Sequence, residues 1–191
     1  MDLQKINVKF FVEESGGILL TDFITIFNSW IQASDGTYVD VANYSHVPAG
    51  PGILLIAHDA NISMDNTGNR LGLLYNRKQA LDGTNREKLL LTFRLALEAC
   101  RRIEEEPALR GKFKFRGSEA LGLINDRLLA PNTAETFDTV KPDLEDLART
   151  LYGGADFTLQ HRDDPKQRFA VEIRTPASYD IATLLKNLAA A

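Results

Sequence analysis

Ile6, Val8, Phe10 and Val12 alternate with Asn7, Lys9 and Phe11, the period of a strand that buries one face, although Phe11 breaks the polar side. Phe23, Ile24, Phe27, Trp30 and Ile31 then fall at helical spacing, with Thr21 placed to cap the helix and Asp35-Gly36 to end it. Tyr38 to Val41 reads as a short strand, and Ile53 to Ala57 and Leu71 to Tyr75 are nearly continuous apolar runs suited to the middle of a sheet. Leu89, Phe93, Leu97, Cys100 and Ile103 step by three or four residues and predict a long helix from Asn85 to Glu106, stopped by Pro107.

Beyond Pro107, Phe113 and Phe115 alternate with Lys112, Lys114 and Arg116, an edge-strand pattern, and Ala120 to Asn125 is expected to return beside it. Phe137, Val140, Leu144, Leu147 and Leu151 are helical in spacing, with Asn132 or Thr133 as cap. Pro142 within them predicts a break or the first turn of a second helix. Phe157 and Leu159, then Phe169, Val171 and Ile173, alternate across the turn residues Asp163-Asp164-Pro165, and a last helix covers Tyr179 to Ala189. Hairpins outnumber helical crossovers, so the expected fold is α+β, with a mainly antiparallel sheet and helices packed chiefly on one face. Residues 1–191 form one domain in this reading, and a composition shift at Glu104-Glu105-Glu106-Pro107 marks where two lobes would divide, near residue 107. Phe23, Phe27, Trp30, Phe93, Leu97, Ile6, Val8 and Phe10 are expected to share a core.

Composition narrows the function classes without choosing one. The 22 Lys+Arg against 26 Asp+Glu leave a net charge of −4, which argues against a general nucleic-acid binder, because phosphate affinity comes mainly from cationic side chains releasing counterions. The basic series Arg101, Arg102, Arg110, Lys112, Lys114 and Arg116 is offset by Glu104 to Glu106. The one cysteine, Cys100, excludes a disulfide framework and reads as a core residue. No cleavable leader or membrane-length apolar run is legible, so no integral membrane association and a cytoplasmic location are expected.

The chain lacks the Gly-rich phosphate loop, the dinucleotide fingerprint, the nucleophile elbow and the H-E-x-x-H zinc motif. Candidate chemistry therefore rests on polar residues at strand ends. The Pro/Gly-rich loop Asn43 to Gly52 carries Tyr44 and His46, and His58-Asp59 ends the next strand. Chain length suggests that the loop approaches His58, which makes Tyr44, His46 and His58 the acid/base candidates. Asp59, Arg77, Asn125, Asp126 and Arg127 are the ligand-binding candidates. Arg77 follows a strand and Arg127 precedes a helix N-terminus, where a guanidinium can fork a carboxylate or phosphate. The spacing of His46 and His58 fits no recognisable ligand set, and Asp65 to Asn69 lacks the acidic ladder and distal Glu of a calcium loop, so no metal and no cofactor are expected. His161, in phase with Phe157 and Leu159, is expected to face the covered side as a neutral, hydrogen-bonded ring.

The segments YSHVPAGPGILLIAHD, GLLYNRK and INDRLLAPNT resemble those of a bacterial family of single-domain proteins of similar length without an assigned activity. That resemblance implies a bacterial, cytosolic unit and no site residue. Two readings of function follow. The first is a non-enzymatic binding or assembly module that uses rim loops or the exposed sheet face toward a protein partner or a small anionic ligand. The second is an enzyme acting on a small anionic substrate through histidine acid/base chemistry.

Overall fold

The structure, a computed structural model, describes residues 1–190. Its elements run β1 (Ile6–Glu14), α1 (Asp22–Ala33), β2 (Tyr38–Tyr44), β3 (Gly52–Ala57), β4 (Ala60–Asp65), β5 (Gly72–Arg77), α2 (Asn85–Glu105), β6 (Lys114–Ile124), α3 (Ala134–Leu151), β7 (Thr158–His161), β8 (Phe169–Arg174) and α4 (Ile181–Ala189). The strands form one eight-stranded sheet in the order β2-β3-β4-β5-β1-β6-β8-β7, antiparallel throughout. The fold is α+β. Each half of the chain repeats one path: a central strand, a helix crossing to the outer edge, an antiparallel ladder returning beside the first strand, and a second helix. The two halves meet at the β1–β6 pair, a topological repeat with no counterpart in the sequence.

The four helices pack on one face. Phe23, Phe27 and Trp30 of α1, Phe93 and Leu97 of α2, and Ile6, Val8 and Phe10 of β1 belong to a single buried cluster that joins both halves, as the periodicity predicts. Phe10 meets Phe93 edge-to-face at 6.1 Å between centroids. Cys100 lies fully buried in this cluster, and desolvation pushes its thiol well above the ordinary value.

Several local expectations need correction. Thr21 does not cap α1. Asp22 instead accepts the Leu19 N–H at 2.9 Å. Helix α3 runs unbroken through Pro142, because that ring is on the exposed side, where the carbonyl left without an N–H donor faces water. Residues 113–116 and 120–125 are not two neighbouring strands but parts of β6, a central strand paired with β1 and β8. Gly117 lies between the two stretches, inside β6, where a Cβ would overlap the Tyr179 carbonyl oxygen. The polar stretch between the apolar runs 53–57 and 71–75 also holds a strand, since residues 60–65 form β4.

Candidate functional site

The sheet face away from the helices is uncovered by any element, yet many of its side chains are buried. Lys9 is 3% exposed, and Phe11, Asp65, Glu119, Leu121 and Ala170 are buried beside it. They line or adjoin a cup of about 310 Å³ floored by Phe11, Leu74, Leu121, Leu123 and Ala170. Its walls are the β4–β5 turn (Thr67, Gly68, Arg70) and the β7–β8 hairpin (Arg162, Asp164, Gln167, Arg168). The floor follows from register. Lys9 lies opposite Leu74 on β5 and Leu121 on β6, and Leu123 lies opposite Ala170 on β8, so these outward residues form adjoining rows.

Lys9 reaches past β5 to Asp65 on β4, where Nζ and Oδ1 are 2.5 Å apart and both side chains are 4% exposed. The crossing needs Gly72, because a Cβ at that position would come within 2.8 Å of Lys9 Cε. Asp65 also accepts the Thr67 N–H at 3.1 Å and its hydroxyl at 2.8 Å, which fixes the β4–β5 turn. Burial pushes the Lys9 ammonium below its ordinary value, partly countered by Asp65, while Arg70 and Arg162 act in the same direction as burial.

A chain of ion pairs runs beside the cup. Arg70 forks Glu119 through two hydrogen bonds of 3.0 and 2.8 Å, and Arg174 donates to the same carboxylate at 3.2 and 3.0 Å. Arg174 also lies 2.5 Å from Glu172, which accepts from Arg162 Nε at 2.6 Å. Burial opposes ionisation of Glu119, and the Arg70 and Arg174 guanidinium groups outweigh it, holding the carboxyl below its ordinary value. The series Arg70, Glu119, Arg174, Glu172, Arg162 thus begins and ends in a cation, and both terminal arginines line the cup. Arg70 additionally lies over the Phe11 ring, 3.7 Å from its centroid.

The hairpin wall is fastened from behind. Asn132 donates from Nδ2 to the carbonyls of Arg162 at 2.8 Å and Asp164 at 2.7 Å, so its Oδ1 faces His161 Nε2 at 2.7 Å and makes that nitrogen the donor. His161 stacks on Phe137 with centroids 5.2 Å apart, on the covered side as expected. Arg127 donates to the Lys166 carbonyl.

The residues singled out from sequence lie elsewhere, at the two ends of the sheet. Tyr44 is opposite Gly52 and Tyr38 opposite Ala57, so the β2–β3 ladder separates Tyr44 and His46 from His58 by roughly 16 Å or more at 3.3 Å per residue. The expectation that His46 neighbours His58 is therefore corrected: a hairpin brings strands together sideways and sends their connections to opposite ends. Tyr44 and His46 stack at 6.4 Å on an exposed loop. His58, with its side chain 83% exposed, is 3.9 Å from Asp59, which is 3.8 Å from Arg77. Asn125, Asp126 and Arg127 share that sheet end, since Ile6 pairs with Ile124 and Asn7 with Asn76, but β5 and β1 separate them from the His58–Asp59 turn. Asp126 is engaged locally, accepting the N–H groups of Leu128 and Leu129, each at 3.2 Å.

The cup itself was missed, although Phe11 on the polar side of β1 and the doubly apolar run Leu71 to Tyr75 were its signals. No cluster of three or more His, Cys, Asp or Glu side chains arranged for a metal occurs among the described residues, and no helix there is long and apolar enough to cross a membrane. No protein-family model, curated protein or solved structure matches the chain.

Proposed function

We propose that the protein is a non-enzymatic binding module whose open sheet face holds a small anion with an apolar body. Arg168 carries this reading. It lines the cup, is half-buried, and has no carboxylate within ion-pair distance among the described residues, whereas Lys9, Arg70 and Arg162 are each already paired. An apolar floor with one uncommitted guanidinium at its wall suits a ligand whose charge meets Arg168 and whose body covers Leu121, Leu123 and Ala170. Binding is favoured over turnover because the ionised groups beside Arg168 are committed to partners that fix their positions. Tyr44, His46 and His58, on which the histidine-enzyme alternative depends, have no shared pocket.

At roughly 30 Å³ per non-hydrogen atom, the share of a water molecule in the liquid, the cup holds about ten such atoms, the size of octanoate. Isothermal titration with octanoate should give saturable binding. Arg168→Met should weaken it about tenfold or more, since a hydrogen bond to a charged group contributes about 1.5–3 kcal/mol. Octan-1-ol binding as tightly as octanoate, or an unchanged affinity in Arg168→Met, would reject the reading.

A further inference from the structure

A second cavity of about 370 Å³ adjoins the cup near the end of β1, lined by Val12, Glu13, Ser15, Asn69, Leu71 and Arg116 together with Phe11 and Arg70. Those last two residues also line the cup. What lies between the spaces is thus a side-chain pair, the Arg70 guanidinium laid over the Phe11 ring, and not a strand. The second space opens where β1 leaves its regular ladder, with register shifts against β6 between Phe10 and Val12 and between Val12 and Glu14.

We infer that the two cavities are one groove for an unbranched acyl-chain carboxylate, closed across its middle by Arg70, so that Arg70 sets the length of chain the groove accepts. The inference rests on the anion-binding reading above. The floor leads from Arg168, just before β8, over Ala170, Leu123 and Leu121 to Phe11, a path for a chain whose carboxylate stays at Arg168. Arg70 is suited to move. Its side chain is 37% exposed, and when it leaves, Glu119 keeps both hydrogen bonds from Arg174, so no buried carboxylate is stranded. Its departure uncovers an aromatic ring and joins the cup to a second space of similar size. Together they have room for about twenty non-hydrogen atoms at the same volume per atom, enough for hexadecanoate.

The test is a titration series of alkanoates from six to sixteen carbons, below their micellar concentrations, against the wild type and Arg70→Ala. Arg70→Gln serves as a second variant, too short to cover Phe11 yet able to donate to Glu119. Each buried methylene is worth roughly fourfold in affinity. Wild-type affinity should climb to about eight carbons and then level off. Both variants should keep climbing, so that the hexadecanoate-to-octanoate affinity ratio rises at least tenfold. Parallel series in wild type and variants overturn the groove, as does loss of octanoate binding in both variants, which would make Arg70 a headgroup ligand. If no alkanoate of any length binds the wild type, the anion-binding reading itself fails; if octanoate binds through Arg168 and the series are parallel, only the length gate fails.

Discussion

Val8 and Lys9 are consecutive residues of one strand and almost equally buried, at 0% and 3% exposure, yet they are buried by different means. Val8 faces a layer of helices and belongs to a continuous apolar cluster. Lys9 faces the side that no helix covers, and its surroundings are a carboxylate, two guanidinium groups and the apolar floor of the cup. On the helix side burial itself is the stabilising term, roughly 25 cal/mol per Å² of apolar surface. On the open side burial is a cost that paired charges offset. A helix-side residue is thus replaceable by any apolar group of its size, whereas an open-side ion can be removed safely only together with its partner.

The largest expected effects separate the faces directly. Phe10→Ala should cost about 3–5 kcal/mol in urea unfolding, and truncating Phe93 as well should only deepen the loss. Asp65→Ala should cost a similar 3–5 kcal/mol by stranding the Lys9 ammonium, but Lys9→Met with Asp65→Leu should return stability to wild type or above. A double variant as unstable as Asp65→Ala would mean that shape, not charge, holds the open face.

Next comes Glu119→Gln, expected to lose about 1–2 kcal/mol at neutral pH, a modest figure because Arg70 and Arg174 keep contact with water. The folded carboxyl lies below its ordinary value of 4.5, so its contribution is present above that pH and lost as pH falls through the lowered value. The gap between wild type and variant should therefore close in acid, and a gap independent of pH would contradict the charge argument. Asn132→Ala should cost about 1 kcal/mol and concentrate its effect on the hairpin wall. Amide exchange should quicken over residues 162–168 and leave β1 unchanged.

The smallest effect has the opposite sign. Burial raises the Glu104 carboxyl above its ordinary value of 4.5, while the group accepts the Phe115 N–H at 2.8 Å. Its favourable contribution is full below 4.5 and fades as pH rises through the raised value. Glu104→Gln keeps an acceptor and should match wild type in acid, then melt slightly higher at neutral pH. A lower melting temperature at neutral pH would reverse the assignment.

The helix-side face was legible because its spacing is redundant. Phe23, Phe27, Trp30, Phe93 and Leu97 repeat one message, and all enter one core. The open face was harder to read because its pattern mixes polar and apolar residues according to partners on other strands. In β4, Ala60, Ile62 and Met64 alternate with Asn61, Ser63 and Asp65 as a strand should, but the alternation is short and runs straight into the turn chemistry of Asp65 to Asn69. In β6 the Lys112, Lys114 and Arg116 alternation resembles an edge strand, although the strand is central and continues through Gly117. No local pattern pairs Lys9 with Asp65 across 56 residues, or Arg70 with Glu119 across 49. Strand order makes those pairs, and strand order also sent His46 and His58 to opposite ends.

The most direct measurement is amide shift mapping during an octanoate titration, which reports on both faces and both sheet ends at once. Binding in the cup predicts saturable shifts at Lys9, Phe11, Leu121, Arg168 and Ala170, abolished by Arg168→Met, with His58, Asp59 and Arg77 unmoved. Shifts gathered at His58, Asp59 and Arg77 with the Lys9 and Ala170 amides silent would contradict it and return the site to the sheet rim.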